Sequence, residues 1–543
     1  MNPKLHVITQ RPYWPPVIIV LSVMALYGGF LYLPAVFDDT SFFASLNPDE
    51  YLAFDHSSLT PRHLVYASIA LTVKWFGNSM LPLRIQGMLL HAGVAIMLYF
   101  FLRKIQQSVM CRDGVSMNRW PPLLAAMVFT LHPAAVYAAA YLIQRTIVMA
   151  TFFALLTWFL VLKGLQTKKK GWLWSSIFSY ALSILCKEHA VMVPAVAVML
   201  AVWWRSSNEE GISIVQLANR HKWILLGYVL VAVYALLSVK HVVAYTYEPD
   251  ATYSIDQLGL SNPWLLSVIT QGYLFFKYMF IWMLPNPLWM SVDMREAFAL
   301  SWISWPQTLG FCLFLLWPIV AIRLIWLSEL RAVIGFAMVT PWLLFATELS
   351  TVRFNEIFVL YRSYLWIAPV FVIFLLLGQI KSRAVITALF ILPIVMFPLA
   401  FNRISTFAHP FLLWNDAVRL VNNHEVSQGI GRTYYNRAIE FQRLGNYKAA
   451  ITDFSKAISI EPRFYIAYAG RASAYAELKE FDKAFTDFDL AIERLPKYAL
   501  IYENKSRALK ELGRTQEATS YHQKACELGW KDNCKQTQEL KTQ

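Results

Sequence analysis

The sequence predicts an all-α integral membrane protein: a bundle of about eleven membrane-spanning helices followed by an α-solenoid of three helical repeats. Three observations predict it. Of the 543 residues, 57% are hydrophobic and only 15% are charged, whereas soluble domains carry about 25% charged residues. Uncharged apolar stretches recur up to residue 402, and a repeating pattern begins at residue 431. This composition excludes an ordinary cytosolic enzyme.

The apolar stretches are each roughly 16 to 20 residues long, which is enough for a helix to cross the hydrocarbon core of a bilayer. The predicted spans lie near 17–36, 82–102, 120–138, 142–162, 171–186, 189–204, 223–243, 306–322, 332–349, 363–379 and 384–402. The first span has no small-residue cleavage site behind it, so it reads as an anchor helix and not as a signal peptide.

The net charge of +14 is explained by topology. Most lysine and arginine residues between the spans, such as those at 168–170, fall on the side of the amino terminus, and cytoplasmic loops retain basic residues. That side is therefore predicted to be cytoplasmic, and a nucleic-acid partner is not expected. Residues 265–290 contain Gln271 and Lys277, and counting them as a span would reverse the later helices. They are expected to form an interfacial or re-entrant helix.

The carboxy-terminal repeats have a 34-residue period, since Pro462 and Pro496 close two successive units at that spacing. Small alanines alternate with large aromatic residues as two packed antiparallel helices require, and the period is that of the tetratricopeptide repeat (TPR). The domain prediction is therefore a membrane domain at 1–402, a linker helix at 403–430 and a TPR domain at 431–543. The repeats are placed near 431–464, 465–498 and 499–532.

An odd number of crossings places the TPR domain outside the cytoplasm, where a disulfide between Cys526 and Cys534 could form. Two free thiols at the end of a helix are an equally good interpretation. The five cysteines contain no CxxC pair, so a zinc or iron–sulfur site has little support and no metal site is predicted.

Two adjacent carboxylates, Asp38 and Asp39, follow the first span and could act as a base; a solvated helix cap is the alternative. Lys187 and Glu188 lie in a tight turn between two spans, where a mutual ion pair is the alternative to a functional role. Arg145 could equally be a residue whose charged end reaches the membrane surface. Further polar residues on the same predicted outer face are His132, Gln144, His189, Glu348, Arg353, Glu356 and Arg362. Together they indicate a site for an anionic lipid headgroup, because arginine matches phosphate geometry.

The order of these features resembles that of the transmembrane-and-TPR glycosyltransferases, which include eukaryotic O-mannosyltransferases. The resemblance covers essentially the whole chain and is carried by several stretches in sequence. They are Asp38-Asp39, the segment from Arg62 through His91, His132-Pro133, "YLIQRT" at 141–146, "LCKEHAVMVP" at 185–194, Gln271, Asp293, the segment from Glu356 to Leu365, and "LWND" at 413–416.

This resemblance implies a GT-C fold and a glycosyltransferase that uses a polyprenyl-phosphate-linked sugar. It implies that Asp38 or Asp39 is the catalytic base. The residues expected to hold the donor phosphate are Arg145, Lys187, Arg353 and Arg362. The supporting residues are His132, Gln144, Glu188, Gln271, Asp293 and Glu356.

Beyond the donor no cofactor is expected, and two adjacent carboxylates are a weak case for a divalent metal. The expected acceptor is a Ser or Thr hydroxyl of an exported protein that the TPR array binds, and short loops with three repeats favour a bacterial inner-membrane protein with a periplasmic site. The alternatives are a lipid or surface-glycan acceptor, and a non-enzymatic TPR scaffold for a secretion or pilus machine.

Overall fold

The computed structural model describes residues 14–53, 59–108, 118–208, 211–239, 255, 258–326, 329–354, 356–421, 429–531 and 534. Helices are the regular elements that these residues form, as the sequence predicts. The chain divides into two compact units. The first comprises Met1–Val292 and Phe298–His409, and the second comprises Asp293–Ala297 and Pro410–Gln543.

The first unit begins with an apolar helix and a group of short helices, followed by long ones. Its first nine helices are α1 (Trp14–Tyr27), α2 (Asp38–Ser45), α3 (Pro48–Leu52), α4 (His63–Phe76), α5 (Met80–Ser108), α6 (Trp120–Thr130), α7 (Pro133–Ala139), α8 (Arg145–Thr167) and α9 (Lys170–Cys186). The next nine are α10 (Val193–Asn208), α11 (Ile214–Arg220), α12 (Lys222–Ser238), α13 (Pro263–Met283), α14 (Gln307–Ile325), α15 (Glu329–Phe345), α16 (Ser363–Ile367), α17 (Arg383–Leu389) and α18 (Ile391–Thr406).

Eight of the described helical segments are long and apolar enough to cross a membrane, and the number rises to ten if each of two bent pairs is one span. The bent pairs are α6 with α7 (65°) and α11 with α12 (78°). The eight are Met80–Gln107, Leu142–Thr167, Glu188–Asn208, Pro263–Met283, Gln307–Ile325, Arg331–Leu349, Leu360–Gln379 and Arg383–Thr406. The chain is thus consistent with a multi-pass membrane protein. Two predicted spans, α1 and α9, are shorter than these eight.

The segment that the sequence predicts to be interfacial or re-entrant forms α13, and its helix is one of the eight by length and composition. The chain after it runs back along the helix, since the backbone N–H of Ala299 donates to Thr270 Oγ1 at 3.0 Å. Near the carboxyl end of α13, the ring of Trp282 stacks on His132 at 4.3 Å between ring centres. Trp264, near the amino end, donates its indole N–H to the carbonyl of Leu349.

The second unit contains one helix, α19 (Pro410–Leu420), followed by three helix pairs. The pairs are α20 (Ile430–Arg443) with α21 (Tyr447–Ile460), α22 (Tyr465–Glu477) with α23 (Phe481–Arg494), and α24 (Ala499–Glu511) with α25 (Thr515–Glu527). Buried alanines lie in the core of each pair, and the first two pairs add a buried phenylalanine, Phe454 and Phe488. The main segment of this unit begins at Pro410, so α19 belongs with the repeats.

Candidate functional site

The two adjacent carboxylates lie on a backbone turn with unusual geometry. Phe37, which precedes α2, has a φ of 56°, a left-handed conformation that costs energy for a residue with a side chain. Arg84 of α5 fixes the segment that precedes this turn. Its guanidinium donates to the carbonyl oxygens of Leu33 and Ala140, each at 2.9 Å. The turn is therefore fastened to the segment between α7 and α8.

Asp39 is fully buried, with no exposed surface. Its carboxylate accepts the backbone N–H groups of Leu142 at 3.1 Å and Ile143 at 2.8 Å. Burial raises the pKa of Asp39 to about 7, while these two hydrogen bonds and the charge of Arg84 act in the opposite direction. Asp39 therefore anchors the turn, and its oxygens are already occupied by backbone donors.

Asp38 is exposed and lies beside Tyr141. The N–H of Asp38 donates to the hydroxyl oxygen of Tyr141 at 3.2 Å. Burial, the charges of Asp38 and Asp39, and a hydrogen bond with the Asp38 side chain raise the pKa of Tyr141 well above its usual value. The two acids that the sequence analysis treats as equivalent thus have different environments, and Asp38 is the accessible one.

Lys187 is buried, with 4% of its surface exposed. Its Nζ donates to Gln144 Oε1 at 3.1 Å and lies 5.2 Å from the centre of the Tyr361 ring. Burial, and after it the charge of Arg62, lowers the pKa of Lys187 to about 7. The alternative of an ion pair between Lys187 and Glu188 is wrong for this structure, because Glu188 is bound to Arg62 through two hydrogen bonds, one of them 3.0 Å long from Nε.

Besides Glu188, the carboxylate of Glu348 also contacts basic residues. Three basic side chains from distant parts of the chain lie near it. Its oxygens lie 3.2 Å from His189 Nε2, 3.7 Å from Arg362 Nη1 and 3.9 Å from Arg353 Nε. Arg362 also donates to the backbone carbonyl of Glu356 at 3.1 Å and approaches its carboxylate at 3.4 Å. Two of the expected phosphate ligands, Arg353 and Arg362, are therefore in one group.

Lys187 belongs to this group of basic residues, since the charges of both Arg362 and Glu348 act on it. It differs from the others because it makes no ion pair with any carboxylate of the described residues. A buried ammonium with a lowered pKa and no counter-ion is a ready partner for an added anion. We call the group formed by Arg62, Lys187, Arg353 and Arg362 the cation cluster.

Arg145, another expected phosphate ligand, is held by partners on α5. Its Nη1 donates to Gln86 Oε1 and its Nη2 to the carbonyl of Leu83, each at 2.9 Å, so the guanidinium is bound to α5. With 3% of its surface exposed, Arg145 does not reach the membrane surface either. The adjoining cavity, lined by Tyr141 and Leu142 among others, is about 10 Å³, which holds about one water molecule. Arg145 thus has two structural partners on α5, and its role as a phosphate ligand stays a prediction.

Three supporting residues also have structural partners. His132 caps α7 by accepting the N–H of Ala134 at 3.1 Å. Gln271 donates to the carbonyl of Ile357 at 2.8 Å and so attaches the loop that carries Arg353 and Arg362 to α13. Asp293 belongs to the second unit, where it is paired with Arg295 and accepts the hydroxyl of Thr433 at 3.0 Å.

Four residues of the site are absent from the predicted set, namely Arg62, Arg84, Tyr141 and Tyr361. His189 and Glu348 are among the polar residues predicted on the outer face, but the sequence assigns them no role. Arg62 and Tyr141 do lie in the stretches that carry the family resemblance, and His189 follows Glu188 directly. Their positions in the sequence could have suggested them, but their partners could not be read from it. Glu348 and His189, for example, are joined only by the packing of helices.

An apolar groove of about 280 Å³ runs between α8, α9, α10 and α12. Its lining includes Val191 and Pro194, which lie two and five residues after His189, and it extends to Leu217 at α11. Its walls are aliphatic and aromatic, as a hydrocarbon chain requires.

Comparison with known families identifies one segment. Residues 431–464 match the tetratricopeptide repeat, which confirms a TPR repeat at the position predicted for the first one and indicates protein–protein interaction. Among proteins with curated descriptions, none matches this chain.

Proposed function

We propose that the protein is an integral-membrane glycosyltransferase of the GT-C type, which moves a sugar from a polyprenyl-phosphate donor to a Ser or Thr hydroxyl of an exported protein. One observation carries this proposal: an accessible carboxylate, Asp38, shares one end of the bundle with the cation cluster. The two are linked through Tyr141 and Tyr361, whose rings are in edge contact at 6.2 Å, with Lys187 over the Tyr361 ring.

In this mechanism Asp38 takes the proton of the acceptor hydroxyl as that oxygen bonds to the anomeric carbon. The bond between the anomeric carbon and the phosphate oxygen breaks, and polyprenyl phosphate leaves. Lys187, with Arg353 and Arg362 behind it, stabilises the negative charge on the leaving phosphate. Tyr141 orients Asp38, and Asp39 fixes the turn.

The substrates can be assigned to two cavities. The apolar groove beside Val191 suits the polyprenyl chain, because its walls are apolar and Val191 lies four residues after Lys187 in the chain. A groove of about 240 Å³ in the TPR unit, lined by Tyr435, Tyr447, Tyr498 and Asn504 among others, suits an extended peptide. The acceptor in this proposal is therefore a protein segment that the repeats bind.

The topology we propose has eleven crossings, a cytoplasmic amino terminus and a re-entrant α13. His91, in the middle of α5, lies 3.0 Å from the carbonyl of Thr130, and Trp282 stacks on the neighbouring Phe129. This contact with α6, next to α5, supports a position for the carboxyl end of α13 inside the bundle. In the proposed topology the chain then returns along α13, so this helix does not reverse the later ones.

Under this topology the site and the TPR repeats face the periplasm of a bacterial inner membrane. The crossings are α1, α5, α6 with α7, α8, α9, α10, α12, α14, α15, the segment Leu360–Gln379, and α17 with α18.

The proposal is tested with purified protein in nanodiscs, a polyprenyl-phosphate sugar and an acceptor peptide. Asp38→Asn should lower kcat by about 10² to 10⁴, the usual contribution of a general base. Asp49→Asn is the matched control, because Asp49 is an acid of the same loop that is paired with Lys74 on the surface. An unaltered rate in the double variant Asp38→Asn/Asp39→Asn would sink the proposal.

The acceptor is tested separately in cells. Intact-mass analysis of exported proteins should show a sugar-sized loss when the chain is deleted. An unchanged spectrum, with transfer activity retained in vitro, would favour a lipid or glycan acceptor.

A further inference from the structure

The end of the last repeat brings together three side chains that commonly bind metal ions. His522 and Cys526 lie one turn apart on α25, and Gly529, with a φ of 99°, turns the chain back so that Cys534 reaches them. The imidazole nitrogen and the two sulfur atoms all lie within 4.8 Å of one another. The two sulfurs are bonded as a disulfide, with 5.7 Å between the Cα atoms.

The imidazole of His522 is held in one orientation. Its Nδ1–H donates to Glu503 Oε2 at 2.6 Å, and both side chains are largely buried. Because a carboxylate only accepts hydrogen bonds, Nδ1 carries a proton, and Nε2 is the ring nitrogen that faces the sulfurs. Nε2 lies 3.7 Å from Cys526 Sγ. A carboxylate that orients an imidazole in this way is the usual partner of a metal-binding histidine.

The spacing also suits a metal ion. Zinc binds imidazole nitrogen at about 2.0–2.1 Å and thiolate sulfur at about 2.3 Å in tetrahedral geometry, which separates the two donor atoms by about 3.6 Å. The distance between His522 Nε2 and Cys526 Sγ is close to this value. A disulfide does not require the Glu503–His522 hydrogen bond, whereas in a metal site this hydrogen bond would orient the imidazole toward the ion.

We propose that the reduced chain binds a divalent transition ion of the zinc class through His522 Nε2, Cys526 Sγ and Cys534 Sγ, and that the disulfide is the metal-free alternative. A dithiol reductant supplies two electrons and two protons, is itself oxidised to a disulfide, and converts the Cys526–Cys534 bond into two thiols. The metal then displaces both thiol protons, and a water molecule completes the fourth position. The two states exclude each other, and neither depends on the proposed glycosyltransferase activity.

Cobalt(II) is the probe, since its thiolate complexes absorb in the near ultraviolet and its four-coordinate complexes absorb in the visible. Full-length protein in detergent is reduced with a phosphine and titrated. We expect one cobalt per chain with both sets of bands, and none in the oxidised protein. Cys526→Ser/Cys534→Ser should abolish uptake, whereas Cys312→Ser, which removes an exposed thiol elsewhere, should leave it unchanged.

The histidine and its carboxylate give the decisive comparison. His522→Ala should remove tight binding, and Glu503→Gln should weaken it about 10- to 100-fold, the usual effect of losing such a partner. Circular dichroism confirms that each variant remains helical. Absence of cobalt uptake by the reduced wild type, or unaltered affinity in His522→Ala, would overturn the site.

Discussion

At the scale of single residues, the cation cluster divides into basic groups that are already neutralised and one that is not. Arg62 is bound to Glu188, and Arg353 and Arg362 approach Glu348. Their charges hold the site together, and an added phosphate would have to compete for them. Lys187 lacks such a carboxylate partner among the described residues, so we assign it the main role in binding the donor phosphate.

This assignment predicts how donor affinity depends on pH. Lys187 has a pKa of about 7 without substrate, so its charged form is complete below that value and is lost as the pH rises through it. The charged fraction falls about tenfold between pH 6 and pH 8, and the KM for the donor should rise by about that factor in the wild type. Lys187→Met should bind the donor weakly at both pH values. A wild-type KM that does not vary with pH would contradict the assignment.

At the scale of elements, α13 and α14 approach each other through a reciprocal pair of glycines. A Cβ atom at Gly310 would lie 2.6 Å from the Cα of Tyr273, and one at Gly272 would lie 3.1 Å from the Cα of Phe311. Small residues allow such close packing of helices in membranes. This contact sets the position of α13. The loop that contains Arg353 and Arg362 is in turn attached to α13 by the hydrogen bond from Gln271 to that loop.

Gly310→Val should therefore force the two helices apart. We expect a lower thermal midpoint and a loss of transferase activity, because overpacking against backbone atoms usually costs about 1–3 kcal/mol and displaces the loop. Gly171→Val is the matched control, since no atom lies within 4 Å of a Cβ placed there. Equal thermal midpoints in the two variants would show that the glycine contact is not required.

The repeats show what a sequence can predict at this scale. Arg437 and Arg471 lie 34 residues apart, and each binds an aspartate of the next helix through two hydrogen bonds, Asp453 and Asp487 respectively. In the third repeat Lys505 binds Tyr521 instead, at 2.8 Å. Helices and their period follow from local patterns, so both were predictable. The bidentate pairs could have been found by aligning the repeats.

The site was less predictable, for a physical reason. Asp38, Lys187 and Arg362 were predicted as site residues because charged residues are costly at membrane depth, which is visible in the sequence itself. Arg145 satisfies the same criterion, and in the structure its guanidinium has partners on α5. Such partners come from helices far apart in the chain, and only tertiary packing shows which charges are already satisfied.

At the scale of the whole molecule, the number of crossings decides which compartment holds the repeats. A full crossing by α13 would move every later loop to the opposite side, whereas a re-entrant α13 would not. The position of the turn before α14 distinguishes the two cases, and this turn can be labelled because Ile303 is 87% exposed.

In a chain without its native cysteines, Ile303→Cys and Lys497→Cys should react with an impermeant maleimide added to intact spheroplasts. Lys169→Cys should react only after lysis. If Ile303→Cys and Lys497→Cys also required lysis, α13 would be a complete span, and the repeats would be cytoplasmic and unable to meet an exported acceptor.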